Sequence, residues 1–535
     1  MSFRKFGSVS IGTMLAMGVL TACSGGNEDA AVPAPSPKGG TPASDQNQPS
    51  TAVSFPLKDP ITIKMFAQRS AANGPYKDML VFKEYEKMTN IKIEWQDVPN
   101  ESFAEKKNLV FASNELPDAF YKAGIDPSES VKYGSSGILI PLEGLIAKHA
   151  PNINKLMTQY PEIKSSITAP DGHIYSLPAI ITLKAALTQK NWINQAWLKK
   201  LNLKAPQTTD ELLTVLRVFR DNDPNGNGQK DEIPMLESDL AALIGNFSGS
   251  FGLVSQMGYN LNIENGKVRA WFTDPKYKEE LMFLNQIYKE KLIDPNTLTQ
   301  TYAQFLGKIA SGNVGYFHNQ ANDPFAKFKD DFVGISPLKG PHGDQLQSAS
   351  PIARDFGVFA ITSKNKHPEE TMKWIDYFYG DKGSIFFRYG IEGQTFAYKQ
   401  DGKPEYTDQI LGDPRGSGIA IGQFTAWPGG GSPQWVNEIN SSAINRPAVE
   451  EAEKQIDPYL PKQIYGAPLL DEATSKKLDT LRQDIDSYVN TNSAKFITGA
   501  LSFDKWDEFV ATLKKMNLDQ VEKIYQDALD RNNKK

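Results

Sequence analysis

Residues 61–121 read ITIKMFAQRSAANGPYKDMLVFKEYEKMTNIKIEWQDVPNESFAEKKNLVFASNELPDAFY. The segment 61–67 alternates and is rich in β-branched residues, which predicts a strand. Apolar residues at helical spacing follow over 76–87. A second strand is expected at 91–95, a second helix at 102–113 and a short third strand at 118–121. Such a β-α-β-α-β opening favours a mostly parallel sheet covered by helices. In open sheets of this kind ligands bind beyond the carboxyl ends of the strands. Gln68 and Arg69 follow the first strand, and Tyr121 and Lys122 follow the third. These four are therefore candidates for the rim of a ligand cleft.

Working outward, YSLP at 175–178 reads as a crossing between two halves. A helical region is expected over 192–201 and another over 209–220, with Thr209 as hydroxyl N-cap ahead of Asp210 and Glu211. Strands are expected at 314–317 and 357–362. A helix with proline in its first turn is expected at 368–379, and two helices joined near Asn517 at 503–532. No repeat of fixed period is present.

The chain has 535 residues, 40% apolar and 23% charged, enough apolar material for two or more cores. Lys and Arg number 58 against 63 Asp and Glu, a net charge of −5 that argues against a nucleic-acid partner. A single cysteine excludes an intramolecular disulfide framework and any multi-cysteine metal cluster.

That cysteine is Cys23. It follows Arg4, Lys5 and an apolar run over 7–22, which is shorter than the roughly 20 residues a membrane helix needs. The segment 1–22 therefore reads as a secretory signal. Its end, Leu20-Thr21-Ala22-Cys23, resembles the bacterial lipobox, which implies acylation of Cys23 and a lipid anchor on the outer face of the cell membrane. Residues 23–56 are mostly Gly, Ser, Pro and polar, a flexible tether reaching about 30 Å. No later run is long and apolar enough to span a bilayer.

Residues 221–234 read DNDPNGNGQKDEIP. Asp223, Asn225 and Asn227 stand at alternate positions, with Gly228 sixth, Gln229 seventh and Asp231 ninth. This is the oxygen-ligand spacing of an EF-hand calcium loop. The departure is Pro234 at the twelfth position, where a bidentate glutamate belongs, so Asp231 and Glu232 are expected to close the loop. The bland reading is an Asn/Gly-rich turn that binds nothing. With no second loop, the expected role is a structural calcium ion.

Enzymatic motifs are absent. The five histidines form no HExxH pair, no GK dipeptide sits in a P-loop, and there is no GxSxG. The pairs Glu279-Glu280, Glu369-Glu370 and Glu450-Glu451 read as solvated helix faces. A secreted carbohydrate-active enzyme stays as an alternative, because glycosidases need only two suitably spaced carboxylates.

The stretch 191–235, NWINQAWLKKLNLKAPQTTDELLTVLRVFRDNDPNGNGQKDEIPM, resembles the extracellular solute-binding lipoproteins of carbohydrate ABC importers, with alginate-oligosaccharide-binding proteins as relatives. GHIYSLP at 172–178, FFRYGIEGQTFAY at 386–398 and the tail from Lys495 strengthen the resemblance. It implies an α/β fold of type II periplasmic-binding-protein kind: two lobes, each a mixed, mainly parallel sheet flanked by helices, joined by a hinge. The expected division is 57–180 plus about 350–420 for the N-terminal lobe, and 181–349 plus about 421–535 for the C-terminal lobe. The resemblance also implies an oligosaccharide ligand, membrane permease subunits and a cytoplasmic ATPase as partners, and a monomeric receptor. In the calcium loop it assigns side-chain ligands to Asp223, Asn225, Asn227, Asp231 and Glu232, and the backbone carbonyl to Gln229. A binding lipoprotein for peptides or another non-sugar solute is a further alternative.

Sugars offer CH faces to aromatic rings and hydroxyls to polar groups. Trp427 and Trp435 flank a Gly/Pro segment that no helix interior accommodates, so they are candidates for stacking. Trp271, after a turn, and Trp192, ahead of the expected helix, are weaker ones. Arg354, Arg388 and Glu392 lie in turn-rich polar segments, where a salt bridge is the ordinary alternative to a sugar contact. His318 ends an expected strand and either faces the cleft or caps it.

Overall fold

The computed structural model describes residues 53–113, 115–183, 185, 188–320, 329–428, 430–441, 447–462 and 464–533. Cys23 and the expected signal and most of the tether lie outside them. In chain order the strands are β1 (Ile61–Arg69), β2 (Ile91–Pro99), β3 (Ala119–Tyr121), β4 (Leu177–Ile181), β5 (Lys190–Asn194), β6 (Ile233–Leu236), β7 (Leu261–Glu264), β8 (Lys267–Ala270), β9 (Val314–Asn319), β10 (Phe332–Ile335), β11 (Ala353–Ile361), β12 (Phe396–Tyr398), β13 (Pro404–Tyr406) and β14 (Trp435–Val436). They form two principal sheets. The first has the order β14-β4-β11-β3-β1-β2 and the second the order β10-β5-β9-β6.

The opening motif folds as its sequence dictates. β1 pairs in parallel with β2 on one side and with β3 on the other. Between the strands lie the helices Leu80–Thr89 and Asn100–Ser113. The first stops where Asn90 adopts a left-handed conformation, φ 60°, which asparagine tolerates better than most residues. β11 enters antiparallel between β3 and β4. Its register slips between Arg354 and Phe359, where Asp355 and Gly357 take φ 47° and 65°. A side chain at Gly357 would meet the carbonyl oxygen of Ile125 at 2.1 Å, so this bulge requires glycine.

Each sheet organises its own core. The first half buries Tyr76, Phe82, Tyr121, Trp374, Phe378 and Phe387 together. The second buries Trp197, Phe219, Phe247, Trp271 and Tyr277 with the C-terminal helices. Those helices include Glu472–Thr498, capped by Asp471 and ended by left-handed Gly499, which the sequence reading did not identify. Thr208, one residue before the expected cap, accepts from Glu211 N–H to open the helix Thr209–Asp221.

Three connections carry the chain between the halves: after β4, between β10 and β11, and after β14. They abut where Ile181 N–H donates to Ile352 O at 2.8 Å and Thr182 N–H to Val436 O at 3.0 Å. Two expectations are corrected here. The crossing follows Ile181, the end of β4, rather than lying at 175–178, because Leu177–Ile181 is itself a strand of the first sheet. The last boundary lies after β14 and not near 420, because Trp435 and Val436 pair in parallel with Ile180 and Ile181.

Candidate ligand crevice and metal loop

β4 and β14 run parallel, so their carboxyl ends point the same way. Just beyond them is a crevice of about 630 Å³, within the range usual for small-ligand sites. Thr182, Leu183 and Ala185 line it from the first connection, and Glu438 and Ser441 from the last. Lys403 enters from the β12–β13 turn. Glu450, Glu453 and Lys454 come from the helix Pro447–Ile456, and Asp457 and Pro458 from just after it. That helix packs on β10 and β5 of the second sheet, so both halves wall the crevice.

Of the two loop tryptophans, Trp435 touches the lining of this crevice, whereas Trp427 packs with the cluster of Tyr389, Phe396 and Tyr406. Trp435 is half-buried, and its indole N–H donates to Thr182 Oγ1 at 3.2 Å. Trp427 is also half-buried, with the Arg388 guanidinium 4.3 Å from its ring centre. Arg388 is itself buried. Among the described residues it pairs with no carboxylate, and burial draws its pKa down. Its role is to back Trp427, neither the expected salt bridge nor an open sugar contact.

Lys122 departs further from the cleft-rim expectation. It is wholly buried at the end of β3, with φ 52°. Its ammonium nitrogen donates to the carbonyls of Ala426 and Pro428, each at 2.9 Å, and so grips the chain on both sides of Trp427. Burial lowers its pKa to about 7. Tyr121 is buried among Tyr76, Phe82, Trp95 and Trp374 and does not reach the rim, because both sides of the central strand are covered. Gln68 and Arg69 do remain at the surface end of β1. Gln68 Nε2 donates to Asn100 Oδ1 at 2.6 Å, and Arg69 pairs with Asp97 at 2.7 Å. Arg354 is half-buried opposite Ala179 and, among the described residues, faces no carboxylate. Glu392 is exposed in the turn after Tyr389.

Three further candidates prove to be interior. Trp192 lies on β5, whose five residues are all buried, and donates to Asn319 O at 3.0 Å. The expected helix thus begins only at Gln195. Trp271 is buried in the second core and donates to Asn262 Oδ1 at 2.8 Å. His318 is buried with its Nδ1 on the Glu237 carboxylate and its Nε2 3.1 Å from Tyr316 Oη, which makes it an internal pair. Of the acid pairs read as solvated, Glu280 is fully buried with neither carboxylate oxygen hydrogen-bonded, and burial raises its pKa.

The sequence reading missed Glu438 and Glu453. Glu453 is half-buried, its Oε1 has no hydrogen-bond partner, and burial raises its pKa despite the nearby Lys190. Lys190, also missed, is buried and donates to the carbonyls of Ala185 and Thr188. Only the i, i+3 spacing of Glu450 and Glu453 was visible beforehand, and it reads equally well as a solvated face.

The DNDPNGNGQKDE loop coils as its spacing implies. Asp223 accepts from the N–H groups of Gly226, Asn227 and Gly228, and these bonds, Gly228's foremost, hold its carboxyl below the usual range. Gly226 and Gly228 take φ 78° and 77°. Gln229 N–H donates to Asn227 Oδ1 at 2.7 Å. Asn225 and Asn227 converge on Asp231, joined by Asn313 from the turn before β9 at 2.8 Å. Asn313 is 82 residues away, so no local pattern signals it. Glu232 Oε1 is buried without a hydrogen-bond partner, and burial, with repulsion from Asp223 and Asp231, raises its pKa. Among the described residues no three His, Cys, Asp or Glu side chains gather as a metal cluster. The donor set is two aspartates, Glu232 and two amides. Its oxygen chemistry and the orphaned Glu232 oxygen fit a hard cation such as calcium.

Two α/β halves, three connections and a crevice between them define a two-lobed binding protein. The chain belongs to the bacterial extracellular solute-binding protein family, whose model matches residues 69–385. The family binds solutes and does not transform them. The chain is 28% identical over 557 residues, 99% of each chain, to the fructooligosaccharide ABC transporter substrate-binding protein FusA of Streptococcus pneumoniae. FusA solved in complex with kestose is similar over 88% of this chain and 99% of that one, at 26% identity and a TM-score of 0.70. An EF-hand mutant of FusA with fructo-nystose gives 0.68 over the same shares, at 26% identity. The alginate-binding protein AlgQ2, solved without calcium ion, gives 0.68 at 25% identity over 90% of this chain and all of that one. Lipoprotein LipO of Bacillus subtilis is 25% identical over 361 residues, 63% of this chain and 68% of that protein.

Proposed function

We propose that this chain is the lipid-anchored receptor of a carbohydrate ABC importer, capturing an oligosaccharide between its halves outside the cell. It then presents the closed form to membrane permease subunits driven by a cytoplasmic ATPase. The observation that carries the reading is the crevice beyond β4 and β14, walled by both halves, with half-buried Trp435 hydrogen-bonded to its lining residue Thr182. The full-length similarity to FusA supports it. Acylated Cys23 would hold the body at the membrane. Asp223, Asn225, Asn227, Asp231 and Glu232, with the Gln229 carbonyl, would hold one structural calcium ion. Gln68, Arg69, Arg354 and Glu392 stand as outlying candidates for sugar contact.

An oligosaccharide panel screened by thermal shift tests the reading. At least one oligosaccharide should raise the melting temperature. Replacing Trp427 and Trp435 together with alanine should then weaken its binding by about 1–3 kcal/mol, the scale of lost aromatic contact and burial. A panel with no hit, or a double variant with unchanged Kd, would count against it.

A further inference from the structure

Solute-binding proteins similar to this chain include one named for neutral fructooligosaccharides and one named for alginate, a polyuronate. A chain of uronates needs a cation for each carboxylate, or nearly so. A neutral sugar needs hydrogen-bond acceptors and aromatic faces.

We propose that the crevice takes an uncharged oligosaccharide and rejects oligouronates, because among the described residues four carboxylates line it against two lysines. This rests on the reading of the crevice as the sugar site. Arg69 is neutralised by Asp97 at 2.7 Å. Lys122 is fixed by two carbonyls, and Lys190 by two others. Arg388 lies buried against the Trp427 ring. Of the two lining lysines, Lys454 makes an exposed pair with Glu451 at 3.4 Å, and Lys403 faces no carboxylate among the described residues. Among the described residues Arg354 and Arg388 face no carboxylate, but Arg388 is buried under the Trp427 ring, which leaves Arg354 and Lys403, each able to answer one carboxylate at most.

The acids tell the opposite story. Four carboxylates line the crevice, Glu438, Glu450, Glu453 and Asp457, against Lys403 and Lys454. Among the described residues Glu453 Oε1 has no hydrogen-bond donor. A sugar hydroxyl is the donor such an oxygen needs. An approaching uronate would add repulsion in a partly desolvated site, where charge is poorly screened. Half-buried Trp435, hydrogen-bonded to the lining residue Thr182, is the aromatic ring nearest to hand, and a ring face serves a neutral pyranose or furanose equally well.

Calorimetric titration of the full chain in millimolar calcium tests the proposal, with two panels of matched length. One holds neutral kestose, nystose, laminaritetraose and xylotetraose. The other holds tri- and tetramers of galacturonate, mannuronate and guluronate. The expected result is binding of at least one neutral ligand, with every uronate about 100-fold weaker or more. Affinity for the neutral ligand should change less than about twofold between low and high salt, because no ion pair forms on binding. A uronate that binds as tightly as any neutral sugar, with affinity falling as salt rises, overturns the neutral-ligand proposal and leaves sugar capture standing. Heat from neither panel overturns both. Replacing Glu453 with glutamine should weaken the neutral ligand several-fold while retaining the melting temperature. An unchanged Kd would remove Glu453 from the argument for acceptor-led recognition and count against it.

Discussion

Lys122→Met tests the claim that a buried amine fixes the Trp427 loop. The ammonium nitrogen donates to Ala426 O and Pro428 O, both at 2.9 Å. Methionine keeps the length of the side chain and removes both donors. Each buried carbonyl left without a donor costs about 1–3 kcal/mol, so the pair sets a loss of about 2–6 kcal/mol. The measurement belongs at pH 8, above the folded pKa of about 7, where the amine is largely neutral and methionine relieves little charge burial. The sign of the pH dependence is fixed as well. The folded chain releases this proton near pH 7, whereas the unfolded chain holds it to about 10.4. The unfolded state therefore binds more protons across that window, and stability rises with pH there, by at most about 1.4 kcal/mol per pH unit from this group. It is lost as pH falls through 7. Urea midpoints of wild type and variant from pH 6 to 9 read both effects, and the gap between the two proteins should widen with pH. Titration with a bound oligosaccharide should show about a tenfold or larger loss of affinity as the Trp427 loop loosens, about 1.4 kcal/mol. A variant within about 0.5 kcal/mol of wild type, with parallel pH profiles and an unchanged Kd, would refute the clasp.

Calcium removal should lower stability. With a Kd near 10 μM, within the range of such loops, 1 mM calcium stabilises the folded state by about 2.7 kcal/mol. EDTA should therefore shift the melting temperature down by several degrees, and Asp223→Ala should abolish the dependence on calcium. Identical melting curves with and without chelator would remove the ion from the account. Glu280→Met should stabilise the second half by about 1–3 kcal/mol, since both carboxylate oxygens are buried unpaired. Its raised pKa makes the wild type lose stability as pH rises above about 4.3, the unfolded value. The variant should lack that fall, and a destabilised variant would show that the carboxyl has a partner.

The sequence reading succeeded where structure is local. β1, β2 and β3 carry their own alternation and are separated by single helices, so neighbours in sequence are neighbours in the sheet. The coiled turn at 223–232 was legible because the residues that hydrogen-bond within it lie within ten positions. Trp192 was misread because a strand buried on both faces shows no alternation. Lys190 to Asn194 is polar enough to pass for a helix entry, yet β9 and β10 cover it on both edges. Trp271 was misread because its burial depends on Asn262 and the C-terminal helices, which no window around it contains. The boundary near 420 failed for a similar reason. Two residues of β14 return to the first sheet across a gap of more than 250 positions from β4. Lys122 and Arg388 were found as cations, but their roles depend on where the 426–435 loop lands.

The pivot explains how the crevice would couple ligand to motion. The three connections meet where Ile181 touches Ile352 and Thr182 touches Val436, and Trp435 sits one residue from that point. Were the halves to rotate about this point, a ring beside it would move little, and its proposed contact with sugar would be similar in open and closed states. A ligand shifts the equilibrium only through contacts that differ between states. On the proposed reading those would be carried by Glu450 and Glu453, on a helix packed against β5 and β10 that would move with the second half. Two variants should then separate. Trp435→Ala should weaken binding and leave the compaction of the saturated protein intact. Glu450→Gln combined with Glu453→Gln should weaken binding and also leave the saturated protein more open. Small-angle scattering at saturating ligand measures the difference directly. Equal compaction in both variants would mean that closure does not depend on the contacts from the helix Pro447–Ile456.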